Sequence, residues 1–378
     1  MTLDNYHIVI LSSIKWDFLW QRHQIFAEFL SKNTDVTFVE TTGLRNPDLK
    51  KAISRLNRGI VKGHTLQKKE ENKTLKILPP IILPPTNKIF RKVNKSFFIP
   101  KLNRNIRGFS NKPIILLTYL PTKTSLDLLE KLNPVKVIYD CVLNFENFPG
   151  VVKDIQTTEN TLIKLADCLI VDSIHLNKKH NKKRKDIIEI PAAVNFEHFN
   201  NLYQEKIFTT VVKKVTYFGG IDNYRIDWDI ISRILSENIV VELIGPAPEK
   251  IPITHPNLIH IKTVSHQLLP QALKESDVLI LPYKITEFTK GTFPAKLFEC
   301  FATGKPIVAT ALPDLEGFED VIEIGRTEES FISKLKSAIQ NDVDCPTRRL
   351  NRLKIAKENS WENRCNKFKG VLENLIDQ

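Results

Sequence analysis

Short apolar runs alternate with longer stretches of helical periodicity along almost the whole chain. In the first half the runs fall at residues 7–13, 36–40, 113–120, 136–140, 167–173 and 187–191. In the second half they fall at 214–220, 240–245, 258–262, 277–282, 306–310 and 321–324. Most are continuously apolar rather than alternating, the mark of parallel strands covered on both faces. Strand–helix alternation repeated in this way predicts an α/β protein of two doubly wound, Rossmann-like domains. The polar stretch 199–210 is the expected join, giving a first domain at 1–199 and a second at 211–358. An amphipathic terminal segment, 359–378, is expected to cross back as a helix onto the first domain. Two such domains facing across a cleft would bind ligands at the carboxyl ends of their strands.

One segment, residues 291–310, combines a loop, a short helix and a buried strand. Thr292 is a candidate N-cap, with Pro294 near the first helical position, where a missing N–H costs nothing. Leu297, Phe298, Phe301 and Ala302 share one face, and Glu299 lies off it. Gly304 supplies a left-handed stop before the run at Ile307. A helix opening on such a loop presents free N–H groups to an anion, and Glu299 could accept two hydroxyl hydrogens from a ribose. The same residues also suit an ordinary surface helix with a solvated glutamate.

Composition narrows the class. The 378 residues are 42% hydrophobic and 26% charged, as in a soluble globular protein with more than one core. No leader-like or membrane-spanning apolar stretch is legible, and the most apolar piece, 77–85, holds four prolines, so a cytoplasmic protein is expected. Five scattered cysteines and nine histidines without ligand spacing predict neither disulfides nor a metal site. The net charge of +12 is concentrated: residues 50–107 hold sixteen Lys/Arg against Glu70 and Glu71, leaving the remainder near neutral. Within that block Ile89, Phe90, Val93 and Phe97 are expected on one side of a helix, with Arg91, Lys92 and Lys95 opposite. A basic amphipathic helix of this kind suits an anionic membrane surface, peripheral at the inner face of the cytoplasmic membrane. It equally suits a helix packed on the core. Nucleic acid would be attracted too, but the block lacks interleaved stacking aromatics, so no nucleic-acid partner is expected.

Neither half carries a Gly-x-Gly-x-x-Gly turn after its first strand, which disfavours nicotinamide and flavin chemistry, and no phosphate-binding Gly-x-x-x-x-Gly-Lys loop occurs. What does occur is an ordered series. Trp16–Gln24 is followed by Val137-Ile138-Tyr139-Asp140-Cys141, Glu159, Val171-Asp172-Ser173 and Ile190–Phe199, then Val215–Ile221, Leu243–Pro246 and Pro294–Thr310. In this order they resemble bacterial glycosyltransferases of the two-domain GT-B fold, family 4-like (group 1), of the teichuronic-acid, O-antigen and capsule type. The resemblance covers nearly the whole chain.

The resemblance implies a donor site in the second domain and a nucleotide-sugar co-substrate with no other cofactor. Glu299 matches the second Glu of the family's paired-Glu motif and would hold the ribose. Arg225, after the glycine turn Gly219-Gly220, would neutralise the diphosphate, with Thr292 and Phe293 lining the loop. Surface pairing of Arg225 with Asp222 or Asp227 is its alternative. The motif's first Glu falls at Gly291, so a sugar contact there is missing or is made by Thr292 or Lys290. Family 4 enzymes retain configuration, which implies a front-face displacement in which Arg225, Lys296 or Lys290 stabilises the leaving phosphate. An inverting enzyme would need a base such as Asp17 or His23. The expected acceptor is a saccharide or lipid-linked saccharide within cell-surface polysaccharide synthesis. The competing readings are an epimerase of the same fold and a non-catalytic protein that binds nucleic acid or an anionic surface through 50–107.

Overall fold

The computed structural model describes residues 2–42, 74–83, 88–200, 213–340 and 345–378. Residues 50–73 of the basic block and most of the expected join lie outside them. The chain divides into two compact units: Met1–Ile190 with Cys365–Gln378, and Pro191–Arg364.

The first unit is built on β1 (His7–Leu11), β2 (Asp35–Val39), β3 (Leu75–Leu78), β4 (Ile114–Thr118), β5 (Lys136–Cys141), β6 (Cys168–Val171) and β7 (Ile187–Glu189). They form one parallel sheet in the order β3-β2-β1-β4-β5-β6-β7. Register is set by burial: Val9 lies opposite Thr37 on one side and Leu116 on the other, and all three are buried. β3 was not expected, because the prolines from Pro79 onward mask the four residues before them. As an edge strand it tolerates that proline-rich exit.

The Trp16–Gln24 segment is anchored inside this unit. Trp16 packs edge-on against Phe38 at 4.9 Å, and its amide donates to Glu40 Oε1 at 2.8 Å. Buried Arg22 forms an ion pair with Asp140, Nη2 3.0 Å from Oδ2, and donates from Nη1 to the Ile190 carbonyl at 2.7 Å. Burial pushes the Asp140 carboxyl up, and Arg22 draws it back only in part.

The helical run after residue 88 is not the single amphipathic helix expected. Lys88–Val93 and Ile99–Arg107 are α-helical, and Asn94–Phe98 between them is a π turn. The extra residue in that turn rotates the register, so Ile99, Leu102 and Ile106 face the core. Asn94 is also buried, exchanging two hydrogen bonds with the Leu83 backbone at 2.7 and 2.9 Å. Ile89 and Phe97 are left 73% and 71% exposed. Opposite them, Arg91 forms a two-pronged bond to Asp154, and Lys95 meets Glu130.

The second unit contains β8 (Lys214–Phe218), β9 (Val240–Ile244), β10 (Leu258–Ile261), β11 (Val278–Leu281), β12 (Ile307–Thr310) and β13 (Glu323–Gly325). The parallel order is β10-β9-β8-β11-β12-β13. The chain thus winds outward from β8 in one direction, then returns to β11 and winds the other way. The switch point between β8 and β11 is where such sheets open a crevice. Residues 191–199, expected at the end of the first domain, group with this unit: Val194 bridges Ser360 and accepts from the Trp361 amide at 3.0 Å. The terminal helix, Trp361–Asp377, joins the first unit from Cys365, where Phe368 stacks on Phe26 at 4.4 Å.

Candidate active site in the second unit

At the carboxyl end of β8 the chain turns through Gly219 and Gly220. Gly219 has φ +114°, and its amide donates to the Ile244 carbonyl at 2.8 Å. A Cβ there would stand 2.7 Å from Lys296 Nζ. A Cβ on Gly220 would stand 3.7 Å from Arg225 Nη1. The side-chain-free turn is therefore flanked by two cations, with the Asp222 carboxylate 3.2 Å from the same Gly220 Cβ position beside Arg225.

Lys296 reaches this turn from the residue preceding the short helix Leu297–Ala302. Its ammonium donates to Tyr217 Oη at 2.8 Å and Tyr283 Oη at 3.1 Å, and lies 4.0 Å above the Tyr217 ring. Tyr217 in turn donates to the Gly220 carbonyl at 2.9 Å, tying the phenol to the turn. No carboxylate pairs with Lys296 among the described residues. Burial opposes its charge, but the two phenol oxygens outweigh that and hold its pKa above the ordinary lysine value. Burial likewise pushes the Tyr217 phenol up. The site thus keeps a protonated lysine held by neutral acceptors and π faces.

Arg225 sits on the same turn, its backbone fixed by the Lys284 amide donating to its carbonyl at 2.8 Å. Asp222 Oδ2 is 3.4 Å from its Nη1, and its Nε has no hydrogen-bond partner among the described residues. Asp227 does not pair with it: that carboxylate caps the helix Trp228–Ser236 by accepting from the amides of Asp229 and Ile230.

Thr292 is not the expected N-cap. Residues Glu287–Lys290 form a separate helical turn capped by Thr286, and the Thr292 hydroxyl donates to the Phe288 carbonyl at 3.0 Å. The following helix starts only at Leu297, whose amide is spent on the Pro294 carbonyl, so Pro294 precedes the helix rather than opening it. Phe293 is buried and stacks on Phe298 at 5.6 Å. Lys290 turns to Glu287 at 2.8 Å. Glu299 is 19% exposed, and its Oε1 lies 3.4 Å from His266 Nε2. His266, His198, Tyr217 and Tyr283 were not singled out from the sequence; an aromatic just past a strand end was the one available signal, at Tyr283.

In the first unit Asp17 is exposed on the loop after β1. His23 is buried, 3.0 Å from Ser13 Oγ, with its ring 3.8 Å from that of Tyr119. Burial first, then Arg22, lowers its pKa to about 3, so it stays neutral. Cys141, Glu159 and His180 bring potential ligand atoms within 4.8 Å of one another. The Glu159 carboxylate is already engaged there, accepting from Tyr139 Oη at 2.7 Å with Lys179 3.9 Å away. Burial pushes the Cys141 thiol well up and the His180 imidazole down to about 4, leaving both uncharged.

Residues 213–341 match the family model of glycosyl transferases group 1. The putative teichuronic acid biosynthesis glycosyltransferase TuaH of Bacillus subtilis (strain 168) is 24% identical over 230 residues, 55% of this chain and 57% of that protein. The match thus spans little more than half the length of that relative. Among solved structures, sucrose-phosphate synthase from Thermosynechococcus elongatus superposes with a TM-score of 0.70 at 12% identity, over 98% of this chain and 99% of that one. The apo lipopolysaccharide outer core galactosyltransferase WaaB gives 0.60 at 12%, over 98% and 99%. Anabaena HepE in complex with UDP gives 0.62 at 10%, also over 98% and 99%. At such identities these structures speak for the fold. The second unit thus matches a group 1 glycosyltransferase domain, and the two doubly wound sheets share the GT-B fold of the superposed structures.

Proposed function

We propose that the protein transfers a sugar from a nucleotide-sugar donor to a saccharide acceptor in polysaccharide biosynthesis. The observation that carries this reading is the pair of cations, Lys296 and Arg225, flanking a glycine turn at the switch point of the matched domain. A departing nucleoside diphosphate needs compensating charge, and two fixed cations in a partly dry site supply it without a metal ion. HepE, of like fold, is a UDP complex, which supports a diphosphate ligand.

In the retaining scheme the acceptor oxygen bonds the anomeric carbon on the face from which the phosphate oxygen leaves. The acceptor hydroxyl proton passes to that oxygen, while Lys296 and Arg225 hold its charge. Glu299 binds the ribose hydroxyls. Of the two bases considered for an inverting reaction, His23 is buried with its pKa lowered to about 3, a weak base, and Asp17 is exposed.

Calorimetry with UDP, ADP and GDP tests the donor site. At least one should bind, and Glu299→Ala should weaken it by about 1–3 kcal/mol through lost charge-assisted hydrogen bonds. Binding of none of the three, or an affinity indifferent to Glu299, defeats the reading.

The acceptor we propose is lipid-linked, met at the inner face of the cytoplasmic membrane. No described helix is long and apolar enough to cross a membrane. Support for a peripheral contact comes from exposed Ile89 and Phe97 beside exposed Lys88, Lys92, Lys101 and Arg104. Near anionic lipid each such cation contributes about 1 kcal/mol. Flotation should therefore recover the protein with anionic vesicles at low salt and lose it at high salt. Equal recovery with neutral vesicles would exclude this surface.

A further inference from the structure

Glu299 does not stand alone. Among the described residues its carboxylate has one polar partner, the His266 imidazole 3.4 Å from Oε1. That imidazole is held in place by its neighbours. It stacks on His198 with centroids 5.0 Å apart and planes 23° from parallel, and the buried Phe199 meets it edge-on at 5.5 Å. His198 is itself tied down: its Nε2 donates to the His266 carbonyl at 2.8 Å, and its amide donates to Asn195 Oδ1 at 3.3 Å. A carbonyl only accepts, so His198 carries its proton on Nε2. A carboxylate only accepts too, so across the 3.4 Å contact only His266 Nε2 can serve as donor to Glu299.

We propose that His266, backed by His198, is a positioning residue that aims Glu299 at the ribose of the nucleotide. This rests on the donor-site reading above and deepens it. A half-buried carboxylate on a flexible two-methylene stem has several rotamers, and ordering it on binding costs affinity. One donor fixed on Oε1 selects a rotamer in advance while leaving Oε2, and a second lone pair on Oε1, for two ribose hydroxyls. His266 does this without being a ligand of the nucleotide. At 3.4 Å the contact is longer than a formed hydrogen bond, and shortening to about 2.8 Å would make it a charge-assisted one. The aromatic stack explains why an imidazole stands there: a flexible donor such as lysine would reach Glu299 but would not hold one geometry.

The test uses full-length protein and two probes, UDP and 2′,3′-dideoxy-UDP, by calorimetry. His266→Phe keeps the ring stack and removes the donor. It should weaken UDP about tenfold, one charge-assisted hydrogen bond, and leave dideoxy-UDP unchanged. His266→Gln, which retains a donor, should recover most of the loss. In a Glu299→Ala background His266→Phe should have no further effect, because the group it positions is gone. In turnover the change should appear in donor KM rather than kcat. Equal weakening of both probes by His266→Phe, or a loss that persists without Glu299, would reduce the pair to packing and overturn the proposal. Failure of the wild type to bind either probe would instead remove the donor-site reading itself. If Glu299→Ala weakens UDP selectively while His266→Phe changes nothing, only the positioning role falls.

Discussion

Lys296→Met should lower kcat for glycosyl transfer by about two to three orders of magnitude, the usual consequence of removing one charge-stabilising donor from a transition state. Methionine keeps an unbranched stem over the Tyr217 ring, so the packing is nearly conserved. What disappears is the ammonium between Tyr217 and Tyr283, beside the glycine turn. Stability should fall as well, though by less. The folded environment favours the Lys296 ammonium, and methionine leaves the Tyr217 and Tyr283 hydroxyls without its two hydrogen bonds. A loss of activity far larger than a drop of about 1–3 kcal/mol in stability accounts for would identify Lys296 as serving the reaction and not only the fold. Steady-state rates on a nucleotide sugar, alongside thermal melts, read both quantities. A variant retaining more than a tenth of wild-type kcat would show that Arg225 alone carries the leaving-group charge.

The architecture was legible because parallel strands buried on both faces write themselves as unbroken apolar runs. All twelve expected strands exist, and the doubly wound order follows from their alternation with helices. β3 escaped because four residues, Leu75–Leu78, are too short a run to register beside the prolines that follow. The start of the Leu297 helix was misplaced for a different reason. Thr292 and Pro294 form a good N-terminal signal, but Thr286 offers a stronger cap six residues before Thr292, and Thr292 was drawn into the end of that turn. In the basic run, periodicity assumed 3.6 residues per turn, and the π turn at Asn94–Phe98 broke the assumption.

The candidate site was legible in pieces. Glu299 came first from the loop-and-helix pattern around it, Arg225 from motif position and Lys296 from the charge that the implied reaction needs, and Lys296 and Arg225 do flank one turn. Their partners come from far along the chain. Tyr217 lies 79 residues from Lys296, and His198 lies 68 from His266. No local period links such pairs; only the winding of the sheet brings the ends of β8 and β11 together. The same holds for Cys141, Glu159 and His180, whose spacing resembles no ligand motif although they meet in space.

Gly245→Ala should be the most destabilising single-methyl change in the second unit. Gly245 follows β9 at φ +145°, and a Cβ there would lie 2.0 Å from the Gly219 carbonyl oxygen and 2.9 Å from its carbon. Those are backbone atoms, so no rotamer change relieves the clash. Nor can either segment easily retreat. The Gly219 amide is bonded to Ile244, the Gly245 amide to Ile261 at 2.9 Å, and His260 donates to the Gly245 carbonyl at 2.9 Å. Making room means opening the ends of β8, β9 and β10 together, and we expect a loss of about 4 kcal/mol or more, in the range that marks overpacking with broken hydrogen bonds. Gly150→Ala is the control. It has φ +75° with nothing within 4 Å of the added methyl, so it meets only the conformational penalty, about 1–2 kcal/mol. Denaturant titration of both variants separates steric from torsional cost. If Gly245→Ala loses no more than Gly150→Ala, the two glycine turns do not touch as described. The contact matters beyond folding, because the carbonyl that Gly245 accommodates belongs to Gly219, the residue whose missing side chain leaves space for the Lys296 ammonium. A methyl at 245 should therefore impair nucleotide binding in whatever fraction still folds.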